Sequence, residues 1–317
     1  MSTIIDQNTD TPLSMEKIIT ICGPTGIGKT GFAIALAKAC NAEIIGADSM
    51  QIYKYMDVGT AKPTAAELAQ APHHLVDFLD PSQDFDAGQY AQMAAQKIID
   101  VTQKGRVPII AGGTGLYIRA LLYGLFRSCP VCEKTLAQLT RAAQEKGSAY
   151  LHDQLHACDP AAAQKIHPHD SFRIIRALEV FQTTGTPISQ MQKEHNFLSP
   201  RYQSLTIGLF MDRKILYERI NFRVDAMIQQ GLLAEVAGLV EKGYSLDLKS
   251  MQSIGYRHMG WFLKKELDFD RAVFLLKRDT RRYAKRQFTW FRKEPGIIWL
   301  KPSQLTRAIT LAKEFLT

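Results

Sequence analysis

No stretch of this 317-residue chain approaches eighteen consecutive apolar residues, so the sequence contains no candidate for a membrane-spanning helix. The first sixteen residues are polar and threonine-rich and lack the apolar core of a secretory leader, so they are expected to form a frayed tail. Cysteine is scarce and odd in number: Cys22, Cys40, Cys129, Cys132 and Cys158 fit a reduced compartment, and the expected location is the cytoplasm. Cys129 and Cys132, followed by His152 and His156 at helical spacing, loosely resemble a two-Cys, two-His zinc layout. The stretch between the pairs is longer than a finger's and has no strand-like run, so these residues are read as ordinary ones at a domain boundary. Internal repeats and low-complexity tracts are missing as well. What remains, 46% hydrophobic and 22% charged, is the composition of a globular chain with room for one α/β core and a second, inserted domain.

Acid is also scarce in one stretch of the C-terminal third. Between Arg271 and Lys293 stand nine basic residues and a single acid, Asp279, a local surplus equal to the net +8 of the whole chain. Arg278, Arg281, Arg282 and Lys285 fall on neighbouring helical turns with few acids at i+4 to relieve their repulsion, and phosphate backbone would relieve it. A surplus gathered in one segment points to a polyanionic partner. The interleaved Tyr283, Phe288, Trp290 and Phe291 are expected to be the buried side of that helix.

The clearest chemistry lies near the other end. Gly23-Pro24-Thr25-Gly26-Ile27-Gly28-Lys29-Thr30 is a complete G-x-x-x-x-G-K-T, preceded by the strand-like Lys17 to Cys22 and followed by the helix-like Phe32 to Cys40. In that setting backbone NH groups and the helix N-terminus cradle phosphate, Lys29 reaches the terminal phosphates, and the Thr30 hydroxyl can hold Mg²⁺. The motif certifies a polyphosphate and does not say whether it belongs to a nucleotide.

Further along, Glu43 to Ala47 reads as a strand ending in Asp48-Ser49-Met50-Gln51, and a loop Asp57 to Pro63 follows. Pro72-His73-His74 introduces LVDFLD, expected to be a third strand. A helix is expected from Ala87 to Lys104, then a buried strand Val107 to Ala111 leading into Gly112-Gly113-Thr114. The alternation βαβ predicts a P-loop core with a mostly parallel sheet flanked by helices. From about Ser128 strands vanish and helices are expected over 133–146, 148–157 and 170–183, with 187–200 returning to the core. The expected division is therefore a tail (1–16), a core (17–127 and 201–317) and a helical insertion (128–200). The core resumes with a strand at 205–210, helices at 213–230, 231–242, 253–266 and 269–292, a strand at 297–300 and a closing helix.

Asp48 on its own reads most simply as an acid capping the turn after its strand, though many P-loop kinases place an acid here for Mg²⁺ or a substrate hydroxyl. The strand ending at Gly112 carries no acid, so it is not an ordinary Walker B strand, which argues against an NTP-hydrolysing motor. Gly112, Gly113 and Thr114 are either a tight turn or donors aimed into the phosphate crevice. Arg219 and Arg223, one helical turn apart, are either a solvated face or ligands.

These stretches together resemble the tRNA dimethylallyltransferase family, also called tRNA isopentenyltransferase. The resemblance runs over nearly the whole chain: GPTGIGKT, DSMQIY, DVGTAKP, PHHLVD, AGGTGLY, HPHDSFRIIRALEV, RINFRVDAM, QSIGYRHM and AKRQFTWFR. It implies an enzyme, a monomer, that moves a dimethylallyl group from its diphosphate to N6 of adenosine 37 beside the anticodon, with Mg²⁺. It also implies an insertion and C-terminal helices that grip the anticodon stem-loop. Carried over by motif, residues Gly23 to Thr30 and Arg223 would hold the diphosphate, with Lys29 and Thr114 acting at the reacting centre and Asp48 as base toward the adenine amine. Ser49, Met50 and Gln51 would line the base pocket. Phe172, Arg173, Ile174, Ile175 and Arg176 would contact tRNA, as would Gln252, Ser253, Ile254, Gly255, Tyr256 and Arg257, with Arg281 and Arg282 on the basic helix. Two departures stand out: the C-terminal zinc finger of eukaryotic members is absent, and Asp86 occupies a place where relatives often carry serine.

Overall fold

The computed structural model describes residues 15–125, 133–195 and 199–317. Most of the expected tail, together with Cys129 and Cys132, lies outside the described residues. In chain order the elements are β1 (Lys17–Cys22), α1 (Lys29–Cys40), β2 (Ala42–Ala47), α2 (Ala65–Leu68), β3 (His73–His74), α3 (Ala87–Gln103), β4 (Val107–Gly112) and α4 (Gly115–Tyr123). The helices α5 (Glu133–Cys158), α6 (Pro160–Ala163), α7 (Ser171–Thr184) and α8 (Ile188–His195) follow. The chain closes with β5 (Gln203–Leu209), α9 (Arg213–Gln229), α10 (Leu232–Glu241), α11 (Tyr256–Leu263), α12 (Phe269–Phe291), β6 (Ile298–Leu300) and α13 (Leu305–Leu316).

The six strands form one sheet in the order β3-β2-β4-β1-β5-β6, every neighbouring pair parallel. β1 is central because it is apolar on both faces: Ile19 pairs with Ile109 on one side and with Leu205 on the other, and all three are buried. Helix α1 packs Phe32, Ala33, Leu36 and Ala37 against this layer, where they join Ile220 and Ala308 in one core. A second core gathers Ile52, Met56, Val236, Met251, Tyr256 and Leu276 beneath the loops that follow β2.

The segment 75–80 is not the expected third strand. Pairing stops after His73 and His74, which run beside Ile44 and Ile45, because Leu75 and Asp77 both take left-handed backbone (φ 57° and 58°). The NH groups of Asp77, Phe78 and Leu79 go instead to the carbonyls of Gln51 and Ile52. Asp86 has a plain structural role: it caps α3, accepting from the NH groups of Gly88 and Gln89 at 2.7 and 2.8 Å, while Gln89 returns a bond to its backbone. Serine can make the same cap, so the departure leaves the helix start intact.

The chain divides into two compact units, Met1–Leu122 with Arg201–Thr317, and Tyr123–Pro200. The second is helical. α5 is broken at Gly147, as the two expected helices require, and Leu139, Leu151, Leu155, Ile174 and Leu178 form its core. Helix α8 falls where only a returning segment was expected. Its first turn is held from outside by Asp159, which accepts from Ser189 N at 2.9 Å and Ser189 Oγ at 2.5 Å. His152 Nε2 donates toward the carbonyls of Ala163 and Ile166, both at 3.1 Å, so that nitrogen closes the helical unit. Among the described residues no group of three or more His, Cys, Asp or Glu side chains could hold a metal, and no helix is long and apolar enough to cross a membrane.

Candidate active site

The carboxyl ends of β1, β2 and β4 open onto one cleft lined by Thr25, Gly28, Lys29, Thr30, Asp48, Gln51, Gly112 and Arg223. The phosphate loop joins β1 to α1, and Gly28 caps α1 in left-handed backbone (φ 98°), which turns the free NH groups of the first helical turn toward the cleft. Lys29 Nζ donates to the carbonyls of Gly23 and Pro24 at 3.0 and 2.9 Å. Burial lowers its pKa to about 8; Asp48 pulls it back up and Arg223 pushes it further down. Burial lowers Arg223 as well, against the pull of Asp48, and its Nη1 lies 3.4 Å from Thr25 Oγ1. Three positive groups therefore face the loop: Lys29, Arg223 and the exposed Arg219, whose Nη2 would sit 3.7 Å from a Cβ at Gly28.

In the same cleft Asp48 Oδ1 accepts from the NH groups of Met50 and Gln51 at 3.0 and 3.4 Å. The capping role read from sequence is thus present, and the carboxylate still lines the cleft with its second oxygen outside those bonds. Thr114 Oγ1 accepts from Ser49 N at 2.9 Å and lies 3.3 Å from Ser49 Oγ, so Gly113-Thr114 is fastened to the loop that carries Asp48. Tyr283 of α12 lies beside Thr114 and Gln287. Burial first, and Asp48 second, push its pKa up, so the phenol stays protonated.

Several residues outside the expected set build this arrangement. Gln287 accepts from Thr25 N at 2.8 Å and donates to the Gly113 carbonyl at 2.9 Å; a Cβ on Gly113 would come within 2.3 Å of its amide nitrogen. Glu235 gathers the NH groups of Asp57, Val58 and Gly59 at 2.9, 2.7 and 3.1 Å, fixing the D-V-G-T-A-K-P loop. Lys62 ties that loop to Tyr53 O, Asp57 and Asp77. The sequence signal for Gln287 is a polar residue on the buried stripe of α12, which it shares with Asp279, one turn after Tyr283 and one before Phe291.

The residues that the resemblance assigns to tRNA divide sharply. Phe172 and Arg173 are exposed on the helical unit, and Arg176 pairs with Glu179 at 2.7 Å. Ile174 is in that unit's core and Ile175 is half-buried against it, so Ile174 presents no surface to a macromolecule. Tyr256 is likewise interior: fully buried, it donates to Glu235 Oε1 at 2.5 Å and belongs to the second core, which Met50 and Ile254 also pack against. Gln51 spends its amide on the carbonyls of Thr60 and Ala61, at 3.2 and 3.0 Å. Gln252 is exposed and donates to Leu246 O, Gly255 opens α11, and Ser253 Oγ is buried without a hydrogen-bond partner.

The basic helix is less free than its composition indicates. Lys277 pairs with Asp225 at 2.5 Å, Arg281 donates to Asn221 Oδ1 at 2.5 Å, and Arg257 and Arg278 converge on Asp279 at 2.9 and 2.8 Å. Burial would raise the Asp279 carboxyl, but Arg278, His258 and Arg257 hold it down to about 2. Arg282 reaches the same carboxylate only at 3.8 Å and stays 62% exposed, with Lys285 and Arg286 exposed beside it. Phe291 is buried and Tyr283, Phe288 and Trp290 half-buried, so the aromatics do form the inner side.

Known proteins resemble this chain over most of its length. A profile described as IPP transferase matches residues 51–294. A tRNA dimethylallyltransferase of Desulfosudis oleivorans is 51% identical over 95% of this chain and 96% of its own, and one of Geobacter sulfurreducens 46% over 95% and 97%. Among solved structures, a full-length tRNA isopentenylpyrophosphate transferase of Bacillus halodurans superposes with a TM-score of 0.71 at 38% identity, covering 95% of this chain and 97% of that one. A eukaryotic dimethylallyltransferase acting on tRNA superposes at 0.80 with 29% identity, over 95% and 79%. With a family match over most of its length and relatives of this identity covered almost end to end, the chain belongs to the IPP transferase family of tRNA dimethylallyltransferases.

Proposed function

We propose that the chain transfers the dimethylallyl group of dimethylallyl diphosphate to N6 of adenosine 37, next to the anticodon of tRNA, releasing diphosphate. The observation that carries this reading is the meeting of two chemistries in one cleft: Lys29, Arg223 and the α1 N-terminus together with Asp48, whose loop Thr114 fastens. The first suits a diphosphate leaving group, whose charge grows as its bond to carbon breaks. The second suits an exocyclic amine, which becomes strongly acidic as its nitrogen bonds to the allylic carbon and must then lose a proton to a nearby base. Asp48 is that base in our reading. The target base leaves its stack to reach the cleft, at a cost that phosphate contacts to Arg282, Lys285 and Arg286 offset.

The Thr30 hydroxyl also fits a Mg²⁺ ion, since that cation keeps most of its waters and takes one or two protein oxygens together with substrate phosphates. When bound, it would supply further neutralisation of the diphosphate. We place the enzyme in the cytoplasm, acting as a monomer on the anticodon stem-loop.

A small-molecule kinase shares the loop and the acid but has no use for the exposed arginines of α12. Incubating the protein with tRNA and labelled dimethylallyl diphosphate, and in parallel with tRNA and γ-labelled ATP, separates the two. Label in RNA from the first and none from the second is expected, and phosphorylated product without prenylated RNA would overturn the assignment.

A further inference from the structure

We propose that Gln287 is a positioning residue that sets the register between the phosphate loop and the Gly113-Thr114 turn, and thereby between donor and acceptor; this role rests on the transfer reaction proposed above. The side chain is 6% exposed and both ends of its amide are engaged: Oε1 accepts from Thr25 N at 2.8 Å and Nε2 donates to Gly113 O at 2.9 Å. The two partners have opposite polarity, so only one orientation of the amide satisfies both. Glutamate has no proton for the Gly113 carbonyl, asparagine is one methylene short, and methionine offers no strong partner to either group.

The surroundings leave the amide little freedom. A Cβ on Gly113 would stand 2.3 Å from Nε2, and one on Gly115 would stand 2.2 Å from Trp290 Nε1, so this face of α12 is seated directly on the backbone of the turn. Thr25 is held from the other side by Arg223, and Thr114, next in chain to Gly113, is bonded to the loop of Asp48. One side chain therefore joins the segment that holds the leaving group to the segment that holds the base. It does so from a helix whose outer face carries Arg282, Lys285 and Arg286. RNA phosphates gripped on the outside and donor phosphates cradled on the inside are spaced by one rigid helix of 23 residues, with this amide as its link to the cleft.

Loss of the link should let the two segments shift without unmaking either, and a displacement near 1 Å is enough to slow an oriented transfer on the order of 10²-fold. The test compares parent protein with Gln287→Met, which keeps the length of the side chain. The readouts are melting temperature, tRNA affinity, single-turnover alkylation at saturating donor, and the share of diphosphate released without alkylated RNA. In that side reaction the allylic carbon–oxygen bond breaks and water oxygen takes the carbon, giving dimethylallyl alcohol.

The expected result is tRNA affinity within a few-fold of the parent, alkylation slowed on the order of 10²-fold and not restored by more donor, and a larger unproductive share. A purely structural role would lower melting temperature and reduce both reactions in proportion; that result, or a parent-like alkylation rate, overturns the proposal. Gln287→Glu keeps the shape and the acceptor toward Thr25 and carries the test if the methionine variant does not fold. A parent protein that alkylates no tRNA would overturn the transfer reading itself, which distinguishes the two failures.

Discussion

Lys29 makes donor binding sensitive to alkaline pH through a single side chain. Half-buried against the carbonyls of the phosphate loop, its ammonium is held down by desolvation to about 8 from 10.5. Only the protonated form neutralises a diphosphate, and a bound diphosphate draws the proton back, so binding above pH 8 is coupled to proton uptake. With a value of about 8, about nine-tenths of Lys29 carries its charge at pH 7 and about one-tenth at pH 9, so affinity should fall roughly tenfold across that interval. The sign for folding is opposite. Between about 8 and 10.5 the unfolded chain holds a proton that the native state has released, so this group makes stability rise with pH in the same window in which donor binding weakens.

Equilibrium dialysis of labelled dimethylallyl diphosphate at pH 7, 8 and 9, with Mg²⁺ held constant, measures the slope. Lys29→Ala provides the reference, because any titration of the diphosphate itself persists in it. The variant should bind donor weakly and lose the Lys29 part of the slope, with turnover reduced on the order of 10²-fold and tRNA affinity nearly unchanged. A parent protein whose affinity is flat from pH 7 to 9, or a slope that survives in the alanine variant, would refute the reasoning.

Asp48→Asn keeps the shape of the turn but cannot take a proton, so turnover should fall roughly 10²- to 10⁴-fold with donor and tRNA binding within a few-fold of the parent; recovery on raising Mg²⁺ would instead make Asp48 a metal ligand. Arg282→Ala should make the slope of log affinity for tRNA against log salt shallower by about 1. Arg281→Ala should change it less, since Asn221 already holds that guanidinium, and equal effects in filter-binding titrations would contradict the division. His258 is held neutral in the fold, its pKa lowered to about 4 by burial and by Arg257, with Asp279 opposing. The unfolded chain takes up a proton from 6.5 downward and the native one only near 4, so stability should drop as pH falls through that window. Urea melts of His258→Gln should show a flatter dependence, and an unchanged one would remove His258 as the cause.

Much of this site is written in local sequence, and the exceptions have a common physical origin. The phosphate loop and the strand ends at Asp48 and Gly112 are legible because a buried parallel strand must be an apolar run and its carboxyl end must turn. Tyr256 and Ile174 look like contact residues in their motifs, yet their role is decided by Glu235 and by the α5–α7 core, which lie far away in sequence. The basic run misleads in the same way: Asp225 and Asn221 on α9 meet Lys277 and Arg281 only after the chain folds. Helix α8 was hidden because its first turn is held by Asp159 and not by a neighbour in sequence. The segment 75–80 reads as a strand by composition, and left-handed backbone at Leu75 and Asp77 forbids it.

The point where the inserted unit leaves the core has a consequence for how the sheet is assembled during synthesis. Arg201 N donates to Leu122 O at 2.7 Å, so the chain departs and returns at one spot, and the strand that follows is delivered beside β1. Until then the finished part of the sheet is β3-β2-β4-β1, with β1 at its rim and one row of backbone groups unpaired. At ordinary translation speeds of roughly 5–20 residues per second, the intervening stretch of about 80 residues keeps that rim open for about 4 to 16 seconds. The nascent chain is therefore most exposed to wrong pairing while its helical insert emerges. A short turn in place of Tyr123–Pro200 should shorten that interval and raise the yield of correctly folded core.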